Sequence, residues 1–199
     1  MEAIIGLRGR DFVLLAGDTK IAHSVMLLKS DVDRIVEIEN HIGLAYVGEP
    51  GDDQQCVQYL AKNIVLHSMR TGTPMTGNAA AHFVRRTLAD GLREHPYNVN
   101  LIMGSVDREQ AGLYFLDYTG SLAEVKFCAH GYGSFFILGL LDSLYHDDVT
   151  LEQGIIMIRK CLAEIKRRLL IQTPAFCVKV ITKDGIRLLS PEEMAPRVE

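Results

Sequence analysis

The chain opens Met1-Glu2-Ala3-Ile4-Ile5-Gly6-Leu7-Arg8-Gly9-Arg10-Asp11-Phe12-Val13-Leu14-Leu15-Ala16-Gly17-Asp18. Two apolar runs, 3–8 and 12–18, are split by Gly9-Arg10-Asp11. That pattern predicts two strands joined as a hairpin. Further short apolar runs at 24–28, 34–38 and 41–47 extend the strand block, with breaks at Lys29-Ser30-Asp31 and Glu39-Asn40. Gly48-Glu49-Pro50-Gly51-Asp52-Asp53 then marks a loop and a helix start.

From 53 to 70 the period becomes helical, with Val57, Leu60, Ile64 and His67 three or four apart. Thr71-Gly72-Thr73-Pro74 stops this helix, and a second spans 78–94 with Ala80, Phe83, Val84, Thr87, Leu88 and Gly91 on one face. Strands return at 97–106, 112–118 and 121–128. A second helix pair follows. Residues 134–145 are apolar on all sides, the mark of a helix buried on most faces. Residues 151–169 carry a stripe of Leu151, Ile155, Ile158, Leu162, Ile165 and Leu169. Thr150 with Gln153 fits a capping box, in which each side chain satisfies a free N–H of the first turn. Runs 175–181 and 186–189 form a final hairpin around Asp184-Gly185, and the tail 190–199 is polar and irregular.

The order is strands, helix pair, strands, helix pair, hairpin. It does not alternate as βαβ, so a doubly wound parallel sheet is disfavoured. The expected class is α+β: two mainly antiparallel sheets with helix pairs on their outer faces. No linker, tandem repeat or low-complexity segment divides the chain, so 1–189 reads as one domain and 190–199 as its tail.

Composition narrows the function. Of 199 residues, 48% are apolar, and 21 basic against 25 acidic residues leave a net charge of −4. A general nucleic-acid or membrane-surface binder needs a basic footprint, which is missing here. The longest basic run, Lys166-Arg167-Arg168, reads as a solvated helix end. The N-terminus shows no basic region followed by an apolar one, so no secretory signal is expected. The longest apolar stretch, Phe135 to Leu141, is seven residues, where a membrane span needs about 20. The four cysteines, Cys56, Cys128, Cys161 and Cys177, lie 16 or more residues apart and read as reduced, packed thiols. An intracellular protein is expected.

Generic motifs for chemistry are missing: no GxSxG, HExxH, P-loop or GxGxxG is present. The seven histidines are scattered without metal-ligand spacing. Asp52-Asp53 and Asp147-Asp148 each precede or open a helix, where carboxylates favour free N–H groups. No metal or cofactor is expected.

Four stretches together resemble the beta-type subunits of the proteasome. They are Ile4-Ile5-Gly6-Leu7 to Leu15-Ala16-Gly17-Asp18; Gly43 to Gly48-Glu49-Pro50-Gly51-Asp52; Pro96-Tyr97-Asn98-Val99-Asn100-Leu101-Ile102-Met103-Gly104; and Ala129-His130-Gly131-Tyr132-Gly133-Ser134. Leu141-Asp142, Tyr145, Asp147 or Asp148, and Asp184-Gly185-Ile186 add to the likeness, which covers essentially the whole chain. The resemblance implies a four-layer αββα sandwich, the N-terminal-nucleophile hydrolase fold. It implies partners in a 20S core particle: other beta subunits of the same ring, alpha-ring subunits and the opposite beta ring. It implies residence in cytoplasm and nucleus; within such a ring, the apolarity of 134–145 beside the stripe on 151–169 leads us to expect the helix pair 134–169 to take part in contacts across the rings.

Active members of that family attack a peptide carbonyl with a threonine hydroxyl at the chain start, using the α-amino group of the same residue as base. Residues 1–18 hold no Ser, Thr or Cys. Aligning Asp18 with the family's aspartate puts Met1 or Glu2 at the nucleophile position. The only Gly-Thr step, Gly72-Thr73, is followed by Pro74 and reads as a loop. Arg34 stands where active members carry a lysine, and an arginine stays protonated and cannot shuttle a proton. The family's late Asp and Ser align with Leu169 and Gln172. Asp18, Arg34, Gly48 and the Gly131-Tyr132-Gly133 turn therefore read as structural remnants, with a salt bridge between Asp18 and Arg34. The expectation is a non-catalytic subunit. Two rivals are a hydrolase with a non-standard nucleophile, such as Thr19 or Ser134, and a stand-alone binding module.

Overall fold

The computed structural model describes residues 3–23, 26–169 and 175–194. The opening hairpin forms as its sequence requires: β1 (Ala3–Arg8) pairs antiparallel with β2 (Val13–Asp18), and the Gly9 N–H closes the loop on the Phe12 carbonyl at 2.9 Å. Twelve strands and four helices follow the block order among the described residues. The remaining strands are β3 (Ile21–His23), β4 (Met26–Lys29), β5 (Ile35–Ile38), β6 (Ile42–Gly48), β7 (Val99–Asp107), β8 (Gln110–Leu116), β9 (Leu122–Glu124), β10 (Phe127–Gly131), β11 (Phe176–Thr182) and β12 (Gly185–Leu188). The helices are α1 (Asp52–Thr71), α2 (Gly77–Gly91), α3 (Ser134–Leu144) and α4 (Leu151–Arg168).

Two five-stranded antiparallel sheets result, ordered β10-β1-β2-β11-β12 and β5-β6-β7-β8-β9. Side chains alternate across each strand, and the buried residues sort into three layers accordingly. Ile5, Leu7, Leu14, Ala16, Val178 and Val180 pack under α3 and α4. Ile4, Val13, Leu15 and Ile181 face Ile35, Ala45, Ile102 and Leu113 between the sheets. Leu44, Leu101, Met103 and Leu116 pack under α1 and α2. This is the four-layer αββα sandwich. Glycines set the spacing between the sheets: a Cβ on Gly6 would lie 2.7 Å from Ile102 Cγ2, and one on Gly104 2.6 Å from Val13 Cγ1.

Several local expectations are corrected. The run 121–128 is two strands in different sheets. Val125 N–H still bonds the Leu113 carbonyl, while the Lys126 carbonyl already accepts from Arg8 N–H, so the chain changes sheet at that step. Of the run 24–28, residues 26–28 belong to β4, which pairs with β3 in a small separate sheet, while 24 and 25 lie outside the described residues. His67 is exposed on α1; the buried stripe is Asp53, Cys56, Val57, Leu60 and Ile64. On α4 the capping box of Thr150 and Gln153 is complete. Its fully buried face is rotated toward Gly154, Met157, Ile158, Cys161 and Ile165, which leaves Leu151, Ile155 and Leu162 half-buried. The largest correction concerns α3. Only Ile137 and Leu141 are buried on it, while Phe135 is 83% exposed and Phe136 and Leu138 are exposed too. One face covers the sheet and α4; among the described residues nothing covers the other.

Candidate functional site

The end of the sandwich where β1 begins brings Asp18, Arg34 and the Gly131–Gly133 turn together. Met1, Glu2 and Gln172 lie outside the described residues. Ala3 pairs with Gly131, and Ile4 with Gly17, so the start of β1 lies between the glycine turn and the end of β2. A Cβ on Gly133 would stand 2.7 Å from Ala3 Cβ. Asp18 ends β2, pairs with Phe176 and is 4% exposed. Its carboxylate accepts from the Lys20 N–H at 2.9 Å. Arg34 lies directly before β5, and its Cβ would be 3.2 Å from a Cβ on Gly17.

Arg34 is 1% exposed. Its Nη1 lies 3.8 Å from Asp53 Oδ2, and its carbonyl accepts from Tyr46 N–H at 3.0 Å. Asp53 has a second task. Its Oδ1 accepts from Gln54 N–H at 2.6 Å and Gly51 N–H at 3.3 Å, which satisfies free donors at the start of α1. A fixed guanidinium thus stands beside a carboxylate already held by the helix end. Gly48 ends β6 opposite Val99, and a Cβ there would fall 2.3 Å from the Asn98 carbonyl oxygen. Close backbone approach alone requires glycine at this position.

Sequence reasoning missed Lys179. It is an isolated cation in the apolar run of β11, on the face toward the other sheet. Its side chain is 8% exposed. Nζ donates to Asp33 Oδ2 at 2.7 Å, to the Ile35 carbonyl at 2.8 Å and to Glu37 Oε1 at 3.0 Å. Burial pulls its pKa down, but the two carboxylates outweigh burial and leave it raised. This ammonium is a strut from β11 to β5, and at neutral pH it has no free electron pair with which to act as a base. The signal was a lone Lys at an inward position of a strand.

The two alternative nucleophiles are placed unfavourably. Thr19 Oγ1 donates to the Ala175 carbonyl at 3.1 Å, and Ser134 Oγ donates to the Gly131 carbonyl at 2.7 Å. A main-chain carbonyl does not take up a proton at neutral pH, so among the described residues neither hydroxyl is hydrogen-bonded to the kind of base that nucleophilic attack needs. The thiols do not substitute. Burial pushes Cys56 and Cys161 up to about 12, aided at Cys56 by the Asp52 charge, and raises Cys128 and Cys177 as well. All four are free cysteines, and three are buried. His130 stacks on Phe115 at 4.2 Å and its Nε2 meets the Leu116 carbonyl at 3.0 Å, a packing role between the sheets. Asp147 pairs with exposed Lys126. Among the described residues, no three His, Cys, Asp or Glu side chains group to hold a metal, and no helix is long and apolar enough to cross a membrane.

Two stacked antiparallel sheets between helix pairs are the architecture of the N-terminal-nucleophile hydrolase fold. The chain matches the proteasome subunit family over residues 2–181 and belongs to that family. Within it, this is a proteasome subunit of the beta type. It is 42% identical over 188 residues to proteasome subunit beta type-2-A of Arabidopsis thaliana, covering 94% of this chain and 92% of that protein. Proteasome subunit beta type-2 of Dictyostelium discoideum is 40% identical over 193 residues, with 95% and 97% covered. Proteasome subunit beta type-4 of Saccharomyces cerevisiae is 34% identical over 190 residues, with 94% and 96% covered.

Proposed function

We propose that this chain is a non-catalytic beta subunit of the 20S proteasome core particle. It contributes to ring assembly and to the chamber in which ATP- and ubiquitin-dependent protein degradation takes place. The observation that carries this reading is that residues 1–18 contain no Ser, Thr or Cys, so the start of β1 offers no nucleophile. The site around it supports the same reading. Arg34 is buried against Asp53 where active members carry a lysine, and Gly48 is accounted for by its contact with Asn98. Asp18, Arg34 and Gly48 act here as structure. Loss of a nucleophile alone removes on the order of 10⁴ to 10⁶ of rate, and here the lysine position is also held by Arg34, which cannot shuttle a proton.

The partners are the neighbouring beta subunits, the alpha ring and the opposite beta ring, in cytoplasm and nucleus. Support comes from α3, whose exposed face of Phe135, Phe136 and Leu138 continues into Tyr132, 63% exposed. An uncovered apolar patch of this kind on a folded chain is the mark of a protein-facing surface. The test is the size of the native species in cell extract. Co-sedimentation with a multi-subunit particle is expected, and Phe135→Asp is expected to reduce it while leaving the chain folded. A stable native monomer of 22.2 kDa would overturn the reading.

A further inference from the structure

Away from the mouth of β1, three ionisable side chains converge where the β5–β6 turn, the end of β7 and the connection between α1 and α2 meet. His41 lies at the centre. Its Nε2 is 2.9 Å from the Met75 carbonyl in the α1–α2 connection. The same nitrogen is 3.8 Å from Asp107 Oδ1, and its Nδ1 is 3.8 Å from Glu39 Oε2. The side chains of Glu39, His41 and Asp107 are 19%, 21% and 30% exposed. Glu39 Oε2 itself is buried and has no hydrogen-bond partner. Glu39 also holds φ at 55°, a left-handed backbone that non-glycine residues adopt at a cost.

A carbonyl only accepts, so Nε2 carries the hydrogen that meets Met75. In the neutral ring Nδ1 then turns a lone pair toward Glu39 Oε2, and two acceptors face each other. A proton on Nδ1 converts that opposition into an N–H aimed at a carboxylate, with Asp107 Oδ1 on the other side of the ring. Two further groups face Asp107 among the described residues: Tyr114, whose ionisation the Asp107 charge opposes, and the N-terminus of α2. Its positive end is already engaged, because the Gly77 N–H donates to Asp107 Oδ2 at 2.8 Å. Histidine is the side chain that ordinarily gains or loses its proton between pH 5 and 8.

We propose that Glu39, His41 and Asp107 form a proton-operated latch, which binds the α1–α2 connection and the first turn of α2 to the β5–β6 turn and tightens as pH falls. The charged ring completes contacts to both carboxylates while keeping its bond to Met75. The neutral ring keeps the Met75 bond and loses the attraction to Glu39. Charge at Asp107 is held between the imidazolium and the Gly77 N–H, so the first turn of α2 shares in the tightening.

The test is hydrogen exchange on the full chain at pH 6.0 and 8.0, each rate referred to its unstructured value and to amides of β6 in the same sample. In the wild type the amides of Gly77 and Ala79 should be at least threefold more protected at pH 6.0. His41→Gln keeps a donor for Met75 but does not titrate, so its protection should be equal at both pH values. Glu39→Gln offers an N–H to the unprotonated Nδ1 and should also abolish the step. Equal wild-type protection at both pH values would overturn the latch, as would a His41→Gln variant that keeps the wild-type step.

Discussion

Lys179 is a demanding test of how the two sheets are held together. Its ammonium makes three contacts, but their replacement costs differ. Asp33 and Glu37 are about half exposed and can turn to water when the cation is removed. The Ile35 carbonyl loses a donor in a buried place, which costs about 1–3 kcal/mol. Lys179→Met keeps the stem and relieves the desolvation of the charge, so its net loss should be about 1 kcal/mol. Lys179→Ala also deletes the packed stem and leaves a cavity, a further cost of roughly 2 kcal/mol at the low end for large-to-Ala changes. With roughly 2–4 °C per kcal/mol for a domain of this size, the midpoints should fall by about 3 °C and about 9 °C. Thermal unfolding of the two variants at pH 7.5, followed by circular dichroism, measures both. Asp33→Asn retains the Oδ1 that accepts from Ile35 N–H at 2.9 Å and leaves Nζ its contacts to the Ile35 carbonyl and Glu37, so it should lose less than Lys179→Met. The pH sign is also fixed. The folded pKa is raised, so this stabilisation is complete below 10.5 and fades only as pH climbs through the higher folded value. An alanine variant as stable as wild type, or a wild-type contribution lost between pH 6 and 9, would refute the strut.

Three other expectations are simpler to check. Gly48→Ala forces a Cβ to within 2.3 Å of the Asn98 carbonyl, so the β6–β7 pairing must open locally; a loss of more than about 2 kcal/mol is expected in urea unfolding. His130 has its pKa lowered by burial. Its folded value lies below its unfolded value, so its contribution is present above 6.5 and lost as pH falls toward the folded value; His130→Phe should flatten that part of the stability profile. The free thiols should react with maleimide at least tenfold more slowly in the folded chain at pH 8 than in denaturant, because burial holds them protonated.

Much of the fold could be read from local pattern, since a break such as Gly9-Arg10-Asp11 or the Thr150–Gln153 box is specified by neighbours in sequence. What escaped was set by distant contacts. Periodicity in 121–128 marks a strand but not the sheet it joins, and the change of sheet depends on Leu113 and Arg8. The all-apolar face of α3 announces burial without saying by what; within this chain Ile137 and Leu141 meet the core and Phe135 does not. At the site, Asp18, Arg34 and Gly48 came from a resemblance, and the structure gathers Asp18 and Arg34 about Gly17. Asp53 was legible only as a helix-start acid, which it is. Its second contact, to Arg34, crosses 19 positions of sequence and leaves no local trace. Lys179 reaches Asp33 across 146 positions.

The central claim is that the mouth of β1 carries out no chemistry. Core particles containing this chain can be treated with a covalent inhibitor directed at N-terminal threonines, and each subunit weighed by mass spectrometry. Adducts are predicted on other beta subunits, with this chain recovered at its unmodified mass. An adduct on this chain that disappears when Thr19 or Ser134 is changed to Ala would contradict the account.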